Sequence, residues 1–279
     1  MGRQQNPERE PRQRPWRTGW RYALYSAAIL LLAVAALYLY SRVDEFLAAD
    51  PRFRLAEPPV DGGENPALRI EGVVHASRDK ILNAFSADYG RSIYLLPLAE
   101  RRRTLLAIDW VKDASLSRLW PDRVAVRIVE RTPVAFIQLP EAGIAESRRV
   151  ALIDAEGVIL EQPPRAHFTL PVLAGIRREQ SQPMRRLRVA TALRLVQELG
   201  SLADQLSEID VSDAGNVKVV QQAEGRVLLL LLGNRNFLLR LQNFISHYPE
   251  IQQRLPNAAT FDLRLDDRIT ALGEDARGG

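Results

Sequence analysis

The spacing of hydrophobic and polar positions divides the chain into four main stretches between two short tails. From Tyr22 to Ser41 runs YALYSAAILLLAVAALYLYS, 20 residues without a charge. A helix of that length extends about 30 Å, the thickness of a hydrocarbon core. Trp16, Trp20, Tyr22 and Tyr25 gather at one end, and Tyr38 and Tyr40 at the other, as amphipathic rings do at headgroup depth. The pattern predicts one transmembrane helix over 22–41. Ala33-Val34-Ala35 offers the alternative of a cleaved signal peptide. The apolar run continues past that site and a long segment precedes it, which favours an uncleaved anchor.

Residues 42–67 carry Pro51, Pro58-Pro59, Gly62-Gly63 and Pro66 among charges, a mixture that predicts an extended linker. Over 68–135 the pattern alternates. Leu68 to Gly72 reads as a strand, and Ser77 as the N-cap of a helix burying Ile81, Leu82 and Phe85 and stopping near Gly90. Pro97 opens a second helix with Leu98, Leu105, Leu106 and Ile108 inward, and Arg101-Arg102-Arg103 mainly toward water. Strands follow over Val111–Leu116 and Val124–Val129, joined at Trp120-Pro121-Asp122. The order is β-α-α-β-β.

Residues 136–270 read as a mixed β-domain with two helices. Strands are expected at Val134–Leu139, Val150–Asp154 and Val158–Leu160, then near Leu206–Val211, Val217–Gln221 and Arg226–Leu232. The run from Val227 to Leu232 lacks alternation, so it predicts a strand covered on both faces. Met184–Leu199 has helical spacing. A second helix, capped by Asn234, carries the stripe Phe237, Leu241, Phe244, Ile245 and Tyr248 and is interrupted at Pro249. Thr260 to Asp266 alternates and predicts a half-buried final strand, with 271–279 as a flexible tail. The class is α+β, preceded by a single transmembrane helix.

Composition narrows the function. The chain has 279 residues, no cysteine, 46% hydrophobic and 26% charged residues, which is globular and not disulfide-stapled. The net charge of +4 resides in residues 1–21, which hold six arginines against two acids. The remainder is neutral overall, so no basic face for nucleic acid is expected. The arginine-rich flank places 1–21 in the cytoplasm and the body of the chain outside the membrane.

No catalytic residue, cofactor or metal site is expected. His75, His167 and His247 fall in three different predicted elements, without a second histidine or cysteine at ligand spacing. Neither a G-x-S-x-G elbow nor a phosphate-cradling loop occurs. Asp262, Asp266 and Asp267 form the best acidic cluster, without the glycine and closing glutamate of a calcium loop.

The stretch from Ile108 to Ala135 closely resembles the end of the POTRA domain in the FtsQ (DivIB) family of bacterial cell-division proteins. It carries Trp110-Val111, then Ala114-Ser115-Leu116-Ser117-Arg118-Leu119-Trp120-Pro121, then Glu130-Arg131-Thr132-Pro133-Val134-Ala135 in that family's order. Leu68–Gly72 matches the opening strand, and Asp154-Ala155-Glu156-Gly157 resembles the hairpin that opens the second domain. The resemblance implies a non-enzymatic, single-pass inner-membrane scaffold at the division septum, whose periplasmic part binds FtsB and FtsL, with its POTRA domain serving recruitment and its last strands receiving FtsB. FtsK, FtsW and FtsI-like proteins are further implied partners.

Phe261-Asp262-Leu263-Arg264 matches the family's D-L-R strand, which makes Arg264 the leading partner contact, followed by Leu265, Asp266 and Ile269. Leu265 stands where some members have tyrosine. From the residues alone, Arg264 serves equally well in a pair with Asp262 or Asp266. A terminal strand at a sheet edge would offer its unpaired backbone groups to another chain. The alternative function is that of a POTRA-containing component of an outer-membrane assembly or secretion system.

Overall fold

A computed structural model describes residues 16–58, 65–140, 148–223 and 225–273. The expected tails and the middle of the expected linker therefore lie largely outside the described residues. The chain forms two compact units. One comprises the described residues up to Arg69 with Ala87–Pro97 and Ser117–Ala125; the other comprises Ile70–Ser86, Leu98–Leu116 and the residues from Val126 on.

In the first unit the apolar run is the middle of a longer helix, α1 (Trp16–Ala49). It is long and apolar enough to cross a membrane. After it, Asp50 accepts a hydrogen bond from the Arg52 N–H and caps a 3-10 turn over Pro51–Phe53. The linker expectation fails at Leu55, which is fully buried. Its N–H donates to the Arg91 carbonyl at 2.9 Å, and its carbonyl accepts from the Gly90 N–H at 2.8 Å. A single leucine among prolines and charges carries no periodic signal, so its burial arises from partners 35 residues away.

The alternating stretch forms β1 (Leu68–Glu71), α2 (Arg78–Asn83), α3 (Leu98–Leu106), β2 (Val111–Leu119) and β3 (Arg123–Glu130), with sheet order β1-β3-β2. Ser77 caps α2, its Oγ accepting from the Lys80 N–H. The helix ends at Asn83, earlier than expected, while Ile81 and Phe85 are fully buried. On β3, Val124, Val126 and Ile128 point inward, as alternation requires. Gly72 has φ +81°, and a Cβ there would lie 2.1 Å from the Ile128 carbonyl oxygen, so only glycine fits.

A nine-stranded sheet follows. Its strands are β4 (Pro133–Pro140), β5 (Arg148–Asp154), β6 (Ile159–Leu160), β7 (Val172–Ala174), then, after α4 (Gln182–Leu199), β8 (Leu206–Asp210), β9 (Val217–Ala223) and β10 (Arg226–Gly233). After α5 (Phe237–Arg254) come β11 (Thr260–Asp262) and β12 (Thr270–Leu272). The order across the sheet is β12-β11-β10-β9-β8-β7-β4-β5-β6.

Two crossovers shape this order: α4 joins parallel β7 and β8, and α5 joins parallel β10 and β11. Val189, Ala192 and Leu195 of α4 and Phe237, Leu241 and Phe244 of α5 are buried in one core with the sheet. The strand β10 buries Leu228, Leu230 and Leu232 but leaves Val227 65% exposed and Leu229 and Leu231 half-buried. Coverage on both faces is thus incomplete; a uniform leucine run cannot display which positions face the helices. Asn236, in the left-handed region at φ 56°, is the residue before α5, in place of Asn234. The helix runs through Pro249, whose missing N–H forfeits one helical bond, to the carbonyl of the part-exposed Ile245, while Phe244 and Tyr248 on either side of the turn stay buried in the core.

Candidate partner-binding edge

The predicted final strand is shorter than its alternation suggested. Pairing along β11 covers Thr260 to Asp262, against Leu229 to Leu231 of β10 on one side and Leu272 to Thr270 of β12 on the other. Leu263 adds one further bond, its N–H donating to the Leu231 carbonyl at 2.9 Å. From Arg264 to Ile269 the chain turns back, and β12 takes the end position in the sheet. The rim therefore belongs to Thr270–Leu272, and β11 is covered on both sides. Among the described residues no strand pairs with the outer edge of β12.

Two ion pairs shape the turn. Arg264 closes on Asp262 with Nε at 2.9 Å from Oδ1 and Nη2 at 2.6 Å from Oδ2, while its N–H donates to the same Oδ1. Side-chain bonds from Arg264 first, with its backbone N–H adding to them, hold the Asp262 carboxyl below its usual range. Asp266 takes a bond from Arg240 Nε at 2.7 Å and one from Asn236 Nδ2 at 3.0 Å, and Arg240 foremost depresses its carboxyl too. Arg240 is 4% exposed and also donates from Nη1 to the Leu232 carbonyl at 2.7 Å. Gly233, at φ +74°, makes room for it: a Cβ there would meet Arg240 Nη1 at 2.8 Å.

Leu265, Asp266 and Ile269 line one cleft of about 380 Å³ between the turn and α5, along with Arg240, His247 and Ile251. Leu265 is half-exposed and Ile269 packs partly on the core. Arg264 is not among the cleft's lining residues; it lies outside, paired with the neighbour that the sequence had left as an open alternative. Sequence reasoning did not single out Arg240. Its one signal is an arginine three residues after Phe237, on the helix face that carries the apolar stripe. Nor did it identify β12, whose three residues are too few to show alternation.

Among the described residues no group of three His, Asp or Glu side chains is placed to hold a metal ion.

Among the described residues, one helix long and apolar enough to cross a membrane, a β-α-α-β-β domain and a β-sheet with two crossover helices define a POTRA-bearing protein with a candidate membrane span. The family model "POTRA domain, FtsQ-type" matches residues 67–131, and "Cell division protein FtsQ/DivIB, C-terminal" matches 144–264. The chain belongs to the FtsQ family of cell division proteins. It is similar to the cell division protein FtsQ of Koribacter versatilis, 34% identical over 225 residues, covering 78% of this chain and 60% of that protein. With the FtsQ of Novosphingobium aromaticivorans it shares 31% identity over 254 residues, 88% of this chain and 71% of the relative. With that of Myxococcus fulvus it shares 27% over 173 residues, 59% and 55% respectively. The chain thus spans less than two thirds of the Koribacter protein's length.

Proposed function

We propose that this protein is a non-enzymatic scaffold of the division machinery that links early and late division proteins and brings septal peptidoglycan synthesis into place. Residues 1–21 face the cytoplasm, and the body of the chain lies in the periplasm, concentrated at the septum. Residues 68–135 serve recruitment, with FtsK, FtsW and FtsI-like proteins as further partners. The sheet from β4 to β12 binds FtsB and FtsL by strand addition.

The observation that carries this reading is the outer edge of β12, which no strand among the described residues pairs, and whose Thr270 stands opposite Asp262, the residue that holds Arg264. Main-chain groups at such an edge supply affinity, and neighbouring side chains supply selectivity. The Arg264 side chain is half-exposed, so an acidic partner side chain reaches its guanidinium from solvent and competes with Asp262 for it. Leu265 and Ile269 present apolar surface beside the rim.

Replacing Arg264 with Glu, or Ile269 with Pro, is expected to weaken co-purification with the FtsB–FtsL pair while the chain stays folded and membrane-inserted. Undiminished co-purification with both changes would overturn the proposed edge. A fluorescent fusion of the full chain is expected to form a mid-cell band in dividing cells; an even outline would count against septal recruitment.

A further inference from the structure

The uncharged run ends at Ser41, yet α1 continues without a break to Ala49. Asp44 lies only about 4.5 Å beyond Ser41 along the axis, and Leu47 about 9 Å. A headgroup layer is about 5–8 Å thick, given a hydrocarbon core of about 30 Å inside a bilayer of 40–45 Å. Residues bonded to these turns of α1 are therefore held at, or just above, the lipid headgroups.

The loop 92–96 is bonded there twice. Tyr94 donates from its hydroxyl to Asp44 Oδ1 at 2.8 Å, and Ser92 Oγ donates to the Leu47 carbonyl at 2.6 Å. Asp44 foremost, and then Tyr40, pushes the Tyr94 phenol up to about 12. Arg118 locks the loop from the other side, donating to the carbonyls of Ile93, Tyr94 and Leu96. The next residue, Leu95, is left 61% exposed.

A second connection runs through rings. Phe46, about 7.5 Å beyond Ser41, meets Phe53 edge-on at 5.8 Å, and Phe53 meets Trp120 at 5.5 Å. Trp120 is 54% exposed and Phe46 51%. Large apolar side chains left open on a unit tethered at this depth match an interfacial layer, where tryptophan and tyrosine settle with one end apolar and the other wet. Their surface is continuous with the anchor itself.

We propose that this unit docks on the bilayer, with Leu95 and Trp120 seated among phospholipid headgroups on the side where α1 emerges. The occupant is the lipid surface. The tether makes docking intramolecular, so each apolar contact needs to supply little. The consequence is a fixed orientation of the first unit against the membrane, in place of a freely swinging one. This inference rests on α1 crossing the bilayer, and the test separates the two.

The chain lacks cysteine, so single-cysteine variants of the full chain can carry one nitroxide each. In nanodiscs of phosphatidylethanolamine and phosphatidylglycerol, accessibility to oxygen and to a water-soluble nickel complex reports depth. Leu31→Cys is expected to read deep hydrocarbon, and Val227→Cys, in β10, to read bulk water. Leu95→Cys is expected to read headgroup depth, with nickel access several-fold below that of Val227→Cys. Adding Tyr94→Phe and Asp44→Asn is expected to raise nickel access at the Leu95 label by cutting a tether. A Leu95 label as open to nickel as the Val227 label, with Leu31 deep, would overturn the docking and leave the span standing. An aqueous Leu31 label would overturn both.

Discussion

Asp266, in the turn that precedes the edge strand, accepts a 2.7 Å hydrogen bond from the nearly buried Arg240 of α5. One guanidinium joins this turn to the end of β10 through Leu232. The helix that covers the sheet thereby also sets the position of the strand at its rim.

Replacing Arg240 with Ala removes a charge-assisted bond and leaves the Leu232 carbonyl without this partner. The expected loss is about 2–3 kcal/mol, measured by urea unfolding of the full chain in detergent micelles. Asp266→Asn is expected to cost less, because this carboxylate is partly exposed to water. The Asn variant keeps the fold and loosens the rim, which amide hydrogen exchange at Thr270–Leu272 would register as faster exchange.

The carboxyls of Asp262 and Asp266 are both depressed from 3.8 in the folded chain by their arginine partners. A depressed folded value contributes stability that is present above the unfolded value and lost as pH falls through the folded one. Turn order is therefore expected to hold from neutral pH down to about 4, and to fade below that as the two carboxyls take up protons. Carboxyl NMR titration should place both midpoints below 3.8, and Arg264→Ala should return that of Asp262 toward its ordinary value. A midpoint of Asp262 unchanged by that substitution would refute the pairing.

Adjacent residues at the end of β3 work in different directions. Glu130 accepts N–H groups from Val74, His75 and Ala76 at 2.7–2.9 Å. Arg131 donates to Asp154 at 2.7 Å, and Asp154, 1% exposed, also receives the Val158 N–H. Arg131→Ala strands a buried carboxylate and is expected to cost about 3 kcal/mol. Glu130→Ala leaves three donors short of an acceptor, for about 2 kcal/mol. Chemical unfolding checks both, and Arg131→Lys should recover part of the loss by keeping the charge.

The Glu130-Arg131 pair also shows how far the residues could be read along the chain. Their place at a strand end was legible from the alternation of β3, and their recurrence in a family motif from the resemblance. That one anchors the 74–76 loop and the other a hairpin beginning at Asp154 was not, because both partners are remote in sequence. The same holds at the candidate edge. Arg264, Leu265, Asp266 and Ile269 were all singled out, yet the structure assigns Arg264 to Asp262 and gathers the other three around a cleft whose buried cation is Arg240.

What the chain's linear pattern determined is local. A 20-residue uncharged run specifies a bilayer-length helix, Ser77 starts α2, and alternation sets which face of β3 is buried. Tertiary packing decided the rest. Leu55 is core only because Gly90 and Arg91 meet its backbone; β10 has an inner face only because α4 and α5 cover one side. β12 forms the rim only because Asp266, tied to Arg240, folds the chain back after Leu263. Periodicity reports what a segment does to itself, whereas an edge or a buried charge is defined by a partner that folding must first bring near.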